Sequence, residues 1–169
     1  PARITIPTWM PRVHLSAGAR RVPSAEALEA LKGVDWSPYV ETIVEADFPG
    51  EPRAGSRVPV EHRVHRVAYT NNTVTIDVES AASAYLVLAD TIYPGWVATI
   101  DDRTTPIFTA NYLFRGIDLP AGRHQVRFAY RPASVAAGVI GSIAGLVILA
   151  GLMIARRHAV SVAGPRSVS

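Results

Sequence analysis

Cysteine is absent from this chain, which excludes disulfides, thiolate catalysis and cysteine-based metal sites but leaves the compartment open. Lysine is nearly absent too, since Lys32 is the only one and arginine supplies the rest of the 17 basic residues. The arginines are interspersed with acidic and apolar residues, so the net charge of +3 forms no basic stripe. No nucleic-acid partner is therefore expected.

Several signatures of catalysis are also missing. The sequence contains no glycine-rich phosphate loop, nucleophile elbow or metalloprotease helix. His62 and His65 are three residues apart, which places them on opposite faces of a strand, where they cannot share one ion. Adjacent carboxylates such as Asp101 and Asp102 point apart in a turn, unlike the spaced pair of a glycoside hydrolase. We expect neither a metal nor a cofactor.

One long hydrophobic run stands out against this polar chain. Val135 to Ala155 contains no charged residue, and Arg156 and Arg157 follow it. As a helix it would be roughly 31 Å long, close to the ~30 Å hydrocarbon core of a bilayer. A core helix of a soluble domain would normally keep a polar face. The sequence therefore predicts a transmembrane helix over residues 133–157.

The charges around this run predict its orientation. Arg156 and Arg157 end the predicted helix, and Arg166 lies in the short tail of residues 158–169. This acid-free C-terminal end is placed in the cytoplasm by the positive-inside rule. Arginines also precede the run, but a folded domain translocates largely regardless of its charge. The region before the helix is thus expected on the extracytoplasmic side of a cell membrane.

A small-residue pattern marks one face of the predicted membrane helix. Ala137, Gly141 and Gly145 are four residues apart, the spacing that lets membrane helices approach closely. Glycine and alanine are abundant in membrane spans, so chance explains the pattern equally well. If it is real, its partner is another transmembrane helix of a parent protein or a second copy of a single-pass chain.

The region before the helix reads mainly as strands. Residues 73–79 alternate apolar and polar side chains, the period of a strand with one buried face. Residues 58–69 are rich in β-branched side chains, and Asn71-Asn72 provides a turn between the two segments. Residues 85–89 are continuously apolar, which predicts a central strand buried on both faces.

Two further hairpins are predicted downstream. Residues 97–100 turn through 101–103 into 106–108, and residues 117–119 turn through Pro120-Ala121-Gly122 into 124–130. Short strands with a turn signal every eight to twelve residues are typical of antiparallel sandwiches. The predicted fold class is mainly β: a jelly-roll or Ig-like antiparallel sandwich over residues 39–132.

A leader over residues 1–38 precedes this predicted domain. Ser24 is a suitable cap for a short helix over residues 24–32, and Gly33 a suitable stop. Val40 to Glu45 is expected to add an edge strand. Because the chain begins at Pro1, with neither an initiator Met nor a signal peptide, we expect it to be a piece of a longer protein.

The order of several motifs resembles the C-terminal end of bacterial YfhO-type membrane proteins. The resemblance covers nearly the whole chain, and its elements stand in the family's order before a terminal membrane helix. These elements are Met10-Pro11-Arg12-Val13, the helix of residues 26–31, Asp35-Trp36-Ser37-Pro38, Tyr93-Pro94-Gly95-Trp96, Asn111-Tyr112-Leu113-Phe114-Arg115-Gly116, Pro120-Ala121-Gly122-Arg123-His124 and Tyr130-Arg131-Pro132.

This resemblance implies a large polytopic protein of the GT-C glycosyltransferase type. Such proteins are thought to transfer a sugar from a polyprenyl-phosphate carrier to an envelope polymer, such as a teichoic acid. Their catalytic carboxylate lies in an early loop of the membrane domain, so no catalytic residue is carried over to this chain. The family often has Asp-Gly where this chain has Asp101-Asp102, which predicts a differently built turn.

Five residues are candidates for ligand binding, and some of them also have a structural interpretation. Trp96, after Pro94-Gly95, is either a sugar-stacking platform or the core plug of the sandwich, which is the interpretation we favour. Asn111, Tyr112 and Arg115 suit a sugar hydroxyl or a phosphate, with Asn111 otherwise satisfying loop backbone groups and Arg115 pairing with Asp118. The candidates are Tyr93, Trp96, Asn111, Tyr112 and Arg115.

Three functions follow from these observations. The first is an extracytoplasmic domain and last helix of an envelope glycosyltransferase, positioning an acceptor or stabilising the membrane domain. The second is a membrane-anchored, non-catalytic sandwich that binds carbohydrate or protein. The third is a sandwich hydrolase, which would require Asp90, Asp102 or Asp118 to converge in a cleft. The expected partners are the bilayer, other membrane helices, and envelope glycan or a polyprenyl-phosphate sugar.

Overall fold

The computed structural model describes residues 10–33, 36–55 and 58–162 and divides the chain into two compact units, residues 1–131 and 132–169. The first unit is a β-sandwich. Its six-stranded sheet has the order β1-β6-β10-β9-β3-β2, and its five-stranded sheet has the order β4-β5-β11-β7-β8. All strand pairs are antiparallel except β2 with β3, which confirms the predicted sandwich and adds one parallel pair.

The strands in chain order have the following bounds. They are β1 Val13–Ser16, β2 Gly18–Arg21, β3 Glu41–Val44, β4 His62–Tyr69, β5 Thr73–Ser80, β6 Ala84–Thr91, β7 Trp96–Ile100, β8 Arg103–Thr105, β9 Phe108–Ala110, β10 Phe114–Leu119 and β11 Gly122–Tyr130. The described residues also form two helices, α1 Ala27–Leu31 and α2 Ala133–Val162.

The main core lies between the two sheets. Alternate residues of each strand contribute to it, because side chains in a strand point to opposite faces with period two. Leu86 and Leu88 of β6 meet Val126 and Phe128 of β11 in this cluster, and all four are fully buried. The alternating residues Val74, Ile76 and Val78 of β5 also face this core, as their spacing predicts.

The six-stranded sheet is buried on its outer face as well. Tyr85 and Val87 of β6 pack there in a second cluster with Phe48 and Phe108. The three aromatic rings meet edge to face, with centroids 4.8 to 5.8 Å apart. The prediction that residues 85–89 form a central strand buried on both faces is thereby confirmed, since β6 lies between β1 and β10.

Gly116 of β10 allows Phe108 to lie flat on the sheet. A Cβ at this position would lie 2.6 Å from Cζ and 3.0 Å from Cδ2 of the Phe108 ring. Gly116→Ala is expected to lower the free energy of unfolding by about 1–3 kcal/mol, because the buried ring has no space to move into. Urea denaturation measures this loss. Combining Gly116→Ala with Phe108→Leu should remove the clash, so an unchanged loss in the double variant would contradict the explanation.

The first two turns confirm part of the sequence prediction. β4 and β5 form the expected hairpin around Asn71-Asn72. β7 turns through Asp101 and Asp102 as expected, but its partner is β8 at residues 103–105, not residues 106–108. Both aspartates have positive φ, 49° and 64°, as a type I′ turn requires. The expected difference from an Asp-Gly turn is thus wrong, since Asp tolerates this backbone region.

The third predicted hairpin is wrong. β10 pairs with β6 and β9 in the six-stranded sheet, whereas β11 pairs with β5 and β7 in the five-stranded sheet. The turn Pro120-Ala121-Gly122 therefore carries the chain from one sheet to the other. The same turn sequence can join two paired strands of one sheet or two strands of different sheets. Only the tertiary pairing of the strands distinguishes these two connections.

The described part of residues 1–38 belongs to the sandwich and is not a separate leader. It supplies β1 and β2, and α1 lies between β2 and β3 instead of preceding the sheets. Helix α1 begins after Glu26, without a side-chain cap, so Ser24 is not the N-cap. The strand predicted at the edge, β3, is interior, between β9 and β2.

The second unit contains α2. Its described apolar side chains are exposed on all sides of the helix, with Ile140, Leu146 and Ile148 each at least 64% exposed. A Cβ added to Gly141 or Gly145 would meet nothing within 4 Å, so the packing role of Ala137, Gly141 and Gly145 stays a prediction. Judged on the described residues alone, no helix has the length and apolarity needed to cross a membrane.

Candidate functional site

Most of the candidate ligand-binding residues lie at one end of the sandwich. There β6 and β11 end while β7 and β10 begin, with Trp96 opposite Tyr130 and Phe114 opposite Thr91 in the strand registers. The chain leaves the first unit at this end, where the N–H of Arg131 donates to the carbonyl of Gly95 at 2.7 Å. We call it the exit end.

A cluster of three charges closes the core at the exit end. Asp90 accepts hydrogen bonds from Arg12 Nε at 2.6 Å and from Arg115 Nη2 at 3.0 Å. The Arg12 side chain is 59% exposed, but those of Asp90 and Arg115 are only 14% and 3% exposed. Hydrogen bonding from Arg12 to Asp90 raises the pKa of Arg12. Asp90 thus forms ion pairs with both a buried and a surface cation.

Arg115 is the most deeply buried charge in this cluster. Its side chain follows the inward alternation of Ile117 and Leu119 along β10, so it lies between the sheets. Among the described residues, its Nε and Nη1 have no hydrogen-bond partner. Burial lowers the pKa of Arg115, and the negative charge of Asp90 opposes that effect. The buried guanidinium of Arg115 therefore depends on Asp90 as its counter-charge.

Trp96 contacts this buried cation directly. The guanidinium carbon of Arg115 lies 3.7 Å from the centroid of the Trp96 ring, a cation–π contact. Tyr130, the cross-strand neighbour, has its ring centroid 5.3 Å from that of Trp96. The indole is partly buried and packs against the main core. One ring face is thus occupied by Arg115, which limits the surface that a sugar ring can use.

A shallow cleft of about 320 Å³ lies beside Trp96. Tyr93 on its rim is 63% exposed. The hydroxyl of Thr109 on the same cleft donates to Asp47 Oδ2 at 2.7 Å. The cleft is mainly apolar, and its lining residues are Ile92, Tyr93, Pro94, Gly95, Trp96, Ile107 and Thr109.

Asn111 and Tyr112 form the turn between β9 and β10, with φ of 49° and 74°. The buried Asn111 Oδ1 accepts hydrogen bonds from Ile43 N–H at 2.9 Å and from the Thr42 hydroxyl at 3.0 Å. Tyr112 is 43% exposed. Asn111 therefore ties β3 to this turn from a buried position, whereas the side chain of Tyr112 is exposed.

Arg115 pairs with a carboxylate, as the structural alternative expected, but the partner is not Asp118. Asp118 binds Arg53 instead, through two hydrogen bonds of 2.8 Å each. Arg115 and Asp118 are three residues apart on one strand, so their side chains leave opposite faces of the sheet. The carboxylate that pairs with Arg115 is Asp90 on the neighbouring strand β6, and the apolar run of residues 85–89 gave no signal of it.

The opposite end of the sandwich carries a polar cleft of about 730 Å³. Asp101 Oδ2 lies 2.7 Å from His124 Nδ1, and Asp101 Oδ1 accepts from the N–H of Gln125 at 2.9 Å. These two hydrogen bonds, the one with His124 first, lower the pKa of Asp101. His124 is therefore a structural hydrogen-bonding residue, as its position after a turn predicts.

The carboxylates proposed for a hydrolase do not converge. Asp90 lies at the exit end between two arginines, whereas Asp118 lines the polar cleft in a bidentate pair with Arg53. Within the described ranges, no group of three or more His, Asp or Glu side chains has a metal-binding arrangement. The geometry gives no support to a sandwich hydrolase.

His14 is a buried titratable group that the sequence did not reveal. It lies on β1 with no exposed surface, and the ring of Tyr39 contacts it at a centroid distance of 6.0 Å. The pKa of His14 is lowered to about 4, mainly by burial and to a smaller extent by His62. The four residues of β1 are too few to show a strand period, so the sequence carried no signal of this burial.

Acid sensitivity is expected from His14. The unfolded state binds a proton below pH 6.5 and the folded state only below about pH 4, so stability is complete above 6.5 and falls between these values. The expected loss between pH 7 and pH 4 is about 3 kcal/mol. Urea denaturation across this range measures it. His14→Leu should remove most of the slope, and an unchanged slope in that variant would contradict the assignment.

Comparison with known proteins bears on this architecture. No curated protein matches the chain, and no solved structure matches it. The family model described as bacterial membrane protein YfhO matches residues 59–142, which include β4 to β11 and the first part of α2. This match confirms the resemblance inferred from the motifs. Residues 59–142 of this chain belong to the bacterial membrane protein YfhO family.

Proposed function

We propose that this chain is a membrane-anchored, non-catalytic part of a GT-C-type envelope glycosyltransferase. In this proposal α2 crosses the bilayer, the sandwich lies on the extracytoplasmic side and the C-terminal tail lies in the cytoplasm. The sandwich helps to position the acceptor polymer or supports the membrane domain. The observation that carries the proposal is an exposed apolar helix directly after a sandwich that matches a bacterial membrane protein family.

The sequence of α2 supports an anchoring role. Val135 to Ala155 contains one polar side chain, Ser142, whose hydroxyl donates to the Gly138 carbonyl at 2.9 Å. A hydroxyl bonded within its own helix is compatible with a lipid environment, where unsatisfied polar groups are costly. The apolar length of this segment includes residues near its C-terminal end whose side chains lie outside the described set.

The carboxylates of the sandwich support a non-catalytic role. Asp90 and Asp118, which a hydrolase would require in one cleft, are each paired with arginine at opposite ends of the domain. A carboxylate whose oxygens are occupied by charge-assisted hydrogen bonds in this way serves structure. The sugar-transfer chemistry is accordingly assigned to another region of the parent protein.

Cysteine labelling tests the anchoring and the sidedness. Because the chain has no cysteine, single variants Ala121→Cys, Val147→Cys and Ser167→Cys each introduce a unique thiol. In intact bacterial cells, a membrane-impermeant maleimide should label position 121, while position 167 should react only after permeabilisation. Position 147 should resist labelling in both conditions. Labelling of position 167 but not 121 in intact cells would reverse the topology, and labelling of position 147 would contradict the membrane span.

A second candidate function is carbohydrate binding without chemistry. The apolar cleft beside Trp96, with the exposed Tyr93 on its rim, favours it, because aromatic rings suit the apolar faces of sugars. Purified teichoic acid is a suitable probe in a binding assay with the full chain in detergent. Tyr93→Ala should weaken binding several-fold without changing the melting temperature. Equal binding by the parent and Tyr93→Ala would contradict a role for this cleft.

A further inference from the structure

We propose that Tyr93, Tyr112 and Leu113 form a surface that rests in the headgroup region of the bilayer. The proposal rests on the proposed function, since it requires α2 to be anchored in a membrane. We call these three residues the exit-end patch. The exit-end patch contacts lipid, and this contact is additional to the one made by α2.

The exit-end patch combines two adjacent loops of the sandwich. Tyr93, Tyr112 and Leu113 are 63%, 43% and 47% exposed, although all three are large and partly apolar. The N–H of Ile92 donates to the carbonyl of Leu113 at 2.8 Å, which fixes one loop against the other. An exposed group of large side chains on paired loops is typical of an interaction surface.

Covalent connection limits the distance between this surface and the membrane. Arg131 is held by the Gly95 carbonyl in the loop that carries Tyr93, and α2 begins two residues later, at Ala133. Two extended residues span at most about 7 Å of chain. The loop next to the exit point is therefore within reach of the bilayer surface that an inserted α2 would enter.

The side-chain chemistry favours lipid as the occupant. Tyrosine is enriched where membrane meets water, because its ring enters the apolar region and its hydroxyl remains in the headgroups. Arg12 and Arg131 are exposed at the same end and can meet lipid phosphates. The turn at the opposite end of β7 carries Asp101 and Asp102 instead, which anionic lipid would repel.

Spin labelling of the full chain in lipid nanodiscs tests this inference. Single-cysteine variants Tyr93→Cys and Leu113→Cys label the patch, and Ala121→Cys labels an exposed position at the opposite end as the control. Val147→Cys reports independently on α2. Power saturation compares the access of oxygen, which concentrates in lipid, with that of a water-soluble nickel complex. The nanodiscs contain either zwitterionic lipid alone or zwitterionic lipid with phosphatidylglycerol.

We expect a several-fold higher ratio of oxygen to nickel access at positions 93 and 113 than at position 121, increasing with phosphatidylglycerol. If position 147 reports lipid while positions 93 and 113 resemble position 121, the patch does not touch the bilayer and this inference is overturned, with the proposed anchor intact. If position 147 is itself accessible to nickel, the anchor fails and the inference fails with it.

Discussion

Replacing Asp90 with asparagine is expected to lower the free energy of unfolding by about 3–5 kcal/mol, because it removes the carboxylate that pairs with the buried Arg115. The substitution keeps the size of the side chain but removes its charge. Burial already disfavours the charged form of Arg115, as its lowered pKa indicates. Urea denaturation of the full chain in detergent measures the change.

Asp118→Asn is the matched control for this experiment. It removes the same type of carboxylate from an arginine pair, but the side chains of Arg53 and Asp118 are 40% and 54% exposed. An exposed pair contributes roughly 0–1 kcal/mol. The double variant Asp90→Asn, Arg115→Met should recover most of the loss, since an apolar side chain needs no counter-charge. Equal losses in the two single variants would show that burial of Arg115 does not control stability.

Trp96→Ala is the second change with a large expected effect. The indole packs against the main core, covers the guanidinium of Arg115 and contacts Tyr130. Its removal should lower the free energy of unfolding by about 3–5 kcal/mol, the usual cost of truncating a large aromatic residue in a core. Thermal and urea denaturation both measure this loss.

Tyr93→Ala provides the aromatic control on the same cleft. Its side chain is 63% exposed, so its removal should change stability by less than about 0.5 kcal/mol. A small loss for Trp96→Ala together with abolished glycan binding would contradict the plug interpretation and support a sugar-stacking platform. A large loss with binding retained at low temperature would support the plug.

Local periodicity predicted the strands of this fold better than their pairing. The alternation of residues 73–79 and the apolar run of residues 85–89 predict β5 and β6 directly, because burial on one or both faces determines these patterns. The turn signal at Pro120-Ala121-Gly122 was equally visible, yet it joins strands of different sheets. Pairing depends on residues far apart in the chain, and a turn sequence does not encode it.

The leader illustrates the same limit at the edge of the fold. Val13–Ser16 is too short for a convincing period, but pairing with β6 buries all four of its residues. The order of motifs, in contrast, identified the family without any knowledge of the sheets. A short strand such as β1 depends on pairing with its neighbours, which its own sequence does not show. The order of motifs can be read directly from the sequence.

The charged cluster shows why the candidate site was only partly predictable. Arg115 was recognised as a candidate, but Asp90 follows the apolar run of β6 and reads as the polar end of a strand. Their ion pair forms across β6 and β10, 25 positions apart in sequence. Arg12 joins them from the segment before β1, which was predicted to lie outside the domain. The spacing of these residues along the chain does not predict that they form ion pairs.

An alkaline carbonate wash of bacterial membranes containing this chain tests the proposed anchorage of α2 in the bilayer. The parent chain is expected to stay in the membrane pellet. Leu146→Arg with Ile148→Arg is expected to release it, because each charge near the helix centre costs about 2.5–3.5 kcal/mol of insertion free energy. Release of the parent chain by the wash, with the sandwich still folded, would contradict the account.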